Sequence, residues 1–142
     1  METDLNYRTV EEFVSANSPA FRGLGQHLIV DFHDCKKIPG TADELKQMML
    51  ETARVIKATV VTSSFHAFSP IGLSGVVVIA ESHLAVHTWP EHKVVCIDLF
   101  TCSGKMNSNE GVAFLFESLQ ASSMTVKTLA RGCDPDGEFK CE

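Results

Sequence analysis

The sequence has few basic residues and no run of them. Lys and Arg number 12 against 18 Asp and Glu, which gives a formal net charge of −6. The densest basic cluster is the pair Lys36–Lys37. Proteins that bind a nucleic-acid backbone concentrate Lys and Arg on one face. We therefore expect no nucleic-acid partner, and a small molecule or a protein instead.

Long hydrophobic runs and paired cysteines are also missing. No apolar stretch approaches the roughly 18 residues of a membrane helix, and no basic segment followed by an apolar one opens the chain. The five cysteines form no CxxC pair and follow no regular spacing, which predicts neither a disulfide framework nor a zinc site. We therefore expect a cytoplasmic protein without a membrane partner or a bound metal.

The chain has enough apolar material for one core, because 44% of its 142 residues are hydrophobic and nine are Phe. Residues 1–22 are mostly polar, and we expect a frayed or loosely docked N-terminal arm there. A single domain over residues 23–132 and a polar tail over 133–142 complete the predicted organisation.

Hydrophobic periodicity predicts the element order β-α-β-β-β-β-α-β. One helix spans Ala42–Lys57 and begins at a capping box formed by Thr41 and Glu44, and a second helix carries its apolar face around Leu115. The predicted strands are Leu24–Phe32, Thr59–His66, Ser74–Ala80, His83–Trp89, Val94–Thr101 and Ser123–Ala130.

This order predicts an α+β fold, a two-layer α/β sandwich with a mostly antiparallel sheet. Two helices can cover only one face of six predicted strands. The other face is then left apolar unless something packs on it. We therefore expect a homodimer.

The segment AESHLAVHTWPE, residues 80–91, places a polar triplet between strands. The simplest interpretation is a tight turn. His83 and His87 are not a metal pair, because residues four positions apart on a strand are about 13 Å apart. Ser82, His87 and Asp98 suggest a hydrolase triad, but the sequence has no nucleophile elbow.

A serine in a strained turn can instead attack its own backbone. Its Oγ adds to the preceding carbonyl, β-elimination cuts the chain, and the serine becomes a pyruvoyl group. Such a ketone forms a Schiff base with an amine and acts as an electron sink. The reaction needs a donor near the peptide oxygen and a base near the serine Cα. Ser74 and His87 are candidates on adjoining predicted strands.

The run FHAFSPIGLSGVVVIAESHLAVHTWPE followed by IDLFTC resembles the short, prokaryotic S-adenosylmethionine decarboxylase proenzymes of spermidine biosynthesis. The likeness extends from about Gly23 to Gly132. It implies conversion of S-adenosylmethionine to decarboxylated S-adenosylmethionine, the aminopropyl donor, with release of CO₂. It also implies cleavage between Glu81 and Ser82 into a β chain of residues 1–81 and an α chain of residues 82–142.

The resemblance assigns the catalytic roles by motif. Ser82 becomes the pyruvoyl group, so neither PLP nor a metal is implied. His87 in HTW is the processing base, and Ser74 in LSG assists processing. Cys102 in FTC returns the proton to the decarboxylated carbon, whereas Cys96 has no such match and is interpreted as structural.

The resemblance also implies substrate contacts. Phe68 matches the aromatic residue that stacks on adenine, and Glu91 matches the acid that binds the ribose hydroxyls. Ala67 and His92 depart from the family pattern beside this pocket. They leave open a pyruvoyl-dependent decarboxylase of another amino acid, such as ornithine or arginine.

A non-processing regulatory homologue is the third hypothesis, and the presence of Ser82, His87 and Cys102 disfavours it. In the family, two protomers pack sheet to sheet into a four-layer α/β/β/α sandwich. The resemblance therefore implies a homodimer of αβ units.

Overall fold

The computed structural model describes residues 5–16, 23–102 and 106–133, and within them it has seven strands and three α-helices. The predicted tail lies outside the described residues except for Cys133. The strands are β1 (Leu5–Tyr7), β2 (Gly25–His33), β3 (Val60–Ala67), β4 (Leu73–Ile79), β5 (Ser82–Trp89), β6 (Val94–Thr101) and β7 (Ser123–Arg131). The helices are α1 (Val10–Ala16), α2 (Ala42–Val55) and α3 (Ser108–Ser118), and a 3-10 turn spans Pro90–His92.

The strands form one antiparallel sheet in the order β1-β7-β2-β6-β5-β4-β3. Alternate residues of the central strands share one buried core with side chains from all three helices. The helices therefore cover a single face of the sheet. This confirms the predicted α+β sandwich, with one more strand and one more helix than the periodicity indicated.

Local sequence signals set the start of α2. The hydroxyl oxygen of Thr41 accepts a hydrogen bond from the Glu44 N–H at 3.1 Å, and the Glu44 carboxylate accepts one from the Gly40 N–H at 3.0 Å. These contacts satisfy donors that the first helical turn leaves unpaired. Helix α3 packs closely on the end of α2 at Gly111, where a Cβ would clash with Cγ2 of Ile56.

The N-terminal segment is part of the sheet and the core, so the expectation of a loosely docked arm is wrong for residues 5–16. Strand β1 pairs with β7, with Leu5 opposite Val126. Tyr7 and Phe13 are buried, and their rings meet edge to face with centroids 5.5 Å apart. Two aromatic residues in a polar segment make no periodic pattern in the sequence. Their burial depends on docking against distant strands.

The face of the sheet that the helices leave open is chemically mixed, so the expectation of an apolar face is also wrong. The rings of His27, His83 and Phe100 pack on one another there. Arg131 lies 5.5 Å from the Phe100 ring centre, and the Asp98 carboxylate lies 4.0 Å from His27. Burial lowers the pKa of His27, and Asp98 partly opposes this shift.

Candidate active site

Ser82 has a strained backbone. It is the first residue of β5, follows a two-residue turn after β4, and has a φ of 149°. A residue with a side chain held in this region costs on the order of 1–3 kcal/mol, and such residues cluster at functional sites. Hydrogen-bonded pairing with the neighbouring strands fixes the position, because Ser82 lies opposite Ile79 of β4 and Thr101 of β6.

The carbonyl that precedes Ser82 has a main-chain donor. The N–H of Cys102, directly after β6, donates to the carbonyl oxygen of Glu81 at 2.8 Å. This is the oxygen of the predicted scissile peptide, and a donor on it polarises the carbonyl carbon towards attack. The sequence offered Ser74 for this purpose. It gives no signal for a backbone N–H, which every residue except Pro possesses.

The side chain of Glu81 is held on a different element. The N–H of Thr59 donates to Oε1 of Glu81 at 3.0 Å, and the Thr59 hydroxyl donates to Oε2 at 3.4 Å. The carbonyl of Thr59 also accepts a hydrogen bond from the Ala80 N–H at 2.8 Å. Both residues before the predicted scissile bond are therefore fixed to the start of β3.

Ser74 and His87 form a second polar pair. They lie opposite each other on β4 and β5, and Oγ of Ser74 is 2.8 Å from Nδ1 of His87. For His87 to accept a proton through Nε2, Nδ1 must carry the hydrogen and donate it to Ser74. The His87 ring is exposed and lies 6.0 Å from the Trp89 ring, centre to centre.

The two groups lie at opposite ends of β5. We name Glu81, Ser82 and Cys102 the cleavage cluster, and Ser74 with His87 the histidine pair. His87 is five positions after Ser82 along one strand, which is a distance of about 16 Å at about 3.3 Å per residue. Direct proton transfer needs heavy atoms about 3 Å apart. Within one protomer, His87 is therefore too far from the Cα of Ser82.

The predicted substrate contacts lie near the histidine pair. Phe68 directly follows β3, is 53% exposed, and meets the His66 ring with centroids 4.7 Å apart. Glu91 is exposed in the 3-10 turn that follows β5. Phe68 and Pro90 line a surface cavity of about 240 Å³, closed on its other sides by the β3–β4 turn and residues 38–40. An aromatic face and a carboxylate thus lie at one end of the sheet.

The free cysteines differ in environment. Burial, reinforced by Asp31, raises the pKa of Cys96 to about 12, which keeps its thiol protonated and fits a structural role. Cys102 is exposed. Cys133 is not among the free cysteines, because it is disulfide-bonded.

Two absences hold for the described part of the chain. No three His, Cys, Asp or Glu side chains in it are placed to hold a metal ion. None of its helices has both the length and the hydropathy to cross a membrane.

The fold and the cleavage cluster together define a class. A strained serine and a donor on the preceding carbonyl are what a peptide bond needs to rearrange into an ester. An antiparallel α/β sandwich with this turn between β4 and β5 therefore has a geometry compatible with the class of self-processing enzymes.

The family follows from known proteins. Residues 26–132 match the family model described as S-adenosylmethionine decarboxylase. The chain is 44% identical over 112 residues to the S-adenosylmethionine decarboxylase proenzyme of Pseudomonas paraeruginosa, a match that covers 77% of this chain and 69% of the relative. The chain is 43% identical over 112 residues to the S-adenosylmethionine decarboxylase proenzyme of Thermosipho africanus, a match that covers 78% of this chain and 86% of the relative. The chain belongs to the S-adenosylmethionine decarboxylase family, and the resemblance read from its motifs is confirmed.

A solved structure supports the fold. The crystal structure of the adenosylmethionine decarboxylase from Aquifex aeolicus matches with a TM-score of 0.72 at 24% identity, covering 84% of this chain and 99% of that one.

Proposed function

We propose that this protein is a self-processing, pyruvoyl-dependent decarboxylase that converts S-adenosylmethionine to decarboxylated S-adenosylmethionine and CO₂ for spermidine biosynthesis. The observation that carries the proposal is the strained Ser82, which follows a carbonyl held by the Cys102 N–H. Residues 23–132 would form the decarboxylase domain, with 133–142 as a tail, and the enzyme would work in the cytoplasm.

Self-processing begins when Oγ of Ser82 adds to the carbonyl carbon of Glu81. The amide C–N bond breaks, the hydroxyl proton goes to the nitrogen, and an ester replaces the amide. A base then removes the Cα proton of Ser82 while the Cβ–Oγ bond breaks, which releases Glu81 as a carboxylate. The elimination leaves dehydroalanine, whose Cβ gains a proton as its nitrogen loses one to form an imine, and water hydrolyses this imine to a ketone and ammonia. The strain at Ser82 and the donor at Cys102 favour the first step.

The residues at the cleavage cluster fit the pyruvoyl group that this chemistry produces. That group supplies a carbonyl that accepts the electron pair released when CO₂ leaves. The backbone of the exposed Cys102 lies 2.8 Å from the backbone of Glu81, the residue before Ser82, which supports a role for its thiol at this site. From there the thiol would return one proton to the α carbon of the substrate.

The site would be shared between two copies of the chain. Ser82 lies about 16 Å from His87 along its own strand, so the base that serves Ser82 has to come from elsewhere. The helices leave one sheet face open, and the histidine pair lies on it. We propose a homodimer that packs these faces together as the arrangement in which the partner's His87 and the partner's Ser74 serve the cleavage cluster. Each protomer would then supply half of each site.

The substrate assignment rests on the pocket and on the relatives. Phe68 offers a flat face for adenine and for a sulfonium cation, and Glu91 offers acceptors for ribose hydroxyls. Ornithine and arginine have no adenine, sulfonium or ribose for these residues to contact. The relatives quoted above are named for S-adenosylmethionine. The pyruvoyl-dependent decarboxylase of another amino acid and the regulatory homologue are therefore not favoured.

The intact mass of purified protein under denaturing, reducing conditions tests this function first. We expect two fragments, residues 1–81 and 82–142. The second should have a blocked N-terminus and a mass that corresponds to a pyruvoyl group in place of Ser82. Release of labelled CO₂ from S-adenosylmethionine, with ornithine and arginine as controls, tests the substrate. A single uncut chain after prolonged incubation refutes self-processing, and CO₂ from a control alone refutes the substrate.

A further inference from the structure

Glu81 is held at both of its polar ends, and by different parts of the chain. Its carbonyl accepts from Cys102 after β6, while its carboxylate accepts from Thr59 before β3. The carbonyl oxygen of Thr59 also accepts a hydrogen bond from the N–H of Ala80. We name the three hydrogen bonds between Thr59 and residues 80–81 the Thr59 clamp. The turn joins β4 and β5, which lie between β3 and β6 in the sheet. The clamp therefore holds the turn from the β3 side, and Cys102 holds it from the β6 side.

Thr59 is itself well anchored. It follows the end of α2, where the Ala58 N–H donates to the Ala53 carbonyl at 2.9 Å and Lys57 takes a left-handed φ of 62°. Ala58 packs against the core, and Val60 begins β3. The clamp therefore ties the turn before Ser82 to the junction between a buried helix and the sheet, and not to a free loop.

The clamp bears directly on the geometry of the reacting peptide. Attack requires Oγ of Ser82 to stay close to the carbonyl carbon of Glu81 in the right direction. If Glu81 were free to rotate, its carbonyl would leave the Cys102 N–H and the strain at Ser82 would relax. Hydrogen bonds at both ends of Glu81 prevent that rotation.

We propose that Thr59 is a positioning residue for self-cleavage, which it serves by holding the carboxylate of Glu81 and the backbone of Ala80. The inference rests on the proposed cleavage between Glu81 and Ser82. It also assigns the Glu81 carboxylate a holding role and not an acid–base role, because both of its oxygens accept hydrogen bonds from Thr59.

The effects of substitution follow from the three hydrogen bonds. Thr59→Val keeps the shape and both backbone contacts but loses the hydroxyl, so cleavage should slow about threefold to tenfold. Thr59→Ser keeps the hydroxyl and should restore the rate. Glu81→Leu loses both carboxylate contacts and should slow cleavage about tenfold to a hundredfold. Glu81→Gln retains two polar atoms at the same reach and should stay within about threefold of the wild type.

The experiment follows cleavage of freshly synthesised full-length chain over time, with the cut fraction read from intact mass. Thr62→Val is the matched control, because Thr62 is an exposed threonine on β3 that lies opposite Val78 of β4. A double variant, Thr59→Val with Glu81→Leu, should cut no more slowly than Glu81→Leu alone, because the hydroxyl then has no carboxylate to hold. Two unrelated structural defects would multiply instead.

The outcomes separate the clamp from the function on which it rests. A wild-type chain that never cuts refutes the proposed function, and the clamp with it. If the wild-type chain cuts and both Thr59→Val and Glu81→Leu cut at the wild-type rate, the clamp alone is refuted. Glu81→Gln as slow as Glu81→Leu shows that the negative charge is required and overturns the holding role. Multiplying effects in the double variant overturn the coupling between Thr59 and Glu81.

Discussion

The shared site makes a quantitative prediction for dimers that mix two inactive chains. One chain carries Ser82→Ala, which removes the attacking hydroxyl, and the other carries His87→Ala, which removes the base. Neither homodimer should produce the α chain. In a mixed dimer, the intact Ser82 belongs to one protomer and the intact His87 to its partner, so a site built from both protomers has all of its groups.

The magnitude follows from the symmetry and the strand geometry. A two-fold dimer contains two equivalent sites. In a mixed dimer one site is complete and the other lacks both groups, so about half of the chains should cut, and about a quarter if the two chains assort at random. Every cut chain should be the His87→Ala chain. A site confined to one protomer predicts no cutting in the mixed dimer, because one chain lacks Ser82 and the other lacks His87.

The assay uses two affinity tags of different mass, one on each variant, with both chains co-expressed and purified through both tags. Intact mass then identifies which chain is cut, and wild-type chains with the same tags provide the reference. The idea fails if doubly purified mixed dimers stay uncut while the tagged wild type cuts. It also fails if the His87→Ala homodimer cuts at the wild-type rate.

Three further predictions concern single residues. Cys102→Ala keeps its backbone N–H, so the chain should still cut, whereas turnover per cut chain should fall about a hundredfold or more; equal losses in both steps would contradict the proton-donor role. Phe13→Ala should lower the free energy of unfolding by about 3–5 kcal/mol in urea titrations, whereas the exposed Val14→Ala should change it little, and equal small effects would mean that α1 is not part of the core. Because burial lowers the pKa of His27 below its unfolded value of 6.5, the unfolded chain binds more protons, and stability should fall as pH drops below about 6.5; urea midpoints from pH 8 to 5 should flatten in His27→Gln, and an unchanged slope would contradict this.

Much of the fold was predictable because its signals are local. The alternation in β2 and the three- and four-residue spacing in α2 each report which side of an element is buried. The capping box formed by Thr41 and Glu44 marked the start of α2 within one residue. Strand β1 and helix α1 were missed, since three and seven residues are too short for periodicity to show.

The distance between Ser82 and His87 could have been predicted from the sequence. The arithmetic that rules out a metal shared by His83 and His87 applies equally to a strand serine and a histidine five residues later. The structure adds the register, which sets Ser74 opposite His87 and Ser82 opposite Thr101. Register depends on the turns and on which strands become neighbours.

The sequence alone determined the family, the Glu81–Ser82 dipeptide and the residue types that its chemistry uses, because these are written in side chains at fixed spacing. Only the tertiary structure decided that the Cys102 N–H meets the Glu81 carbonyl, that Thr59 holds the Glu81 carboxylate, and that Ser82 is strained. The first two are contacts of the backbone, or with the backbone, between segments about 20 residues apart. A backbone N–H is the same for nearly every residue, so its position and not its identity carries the function.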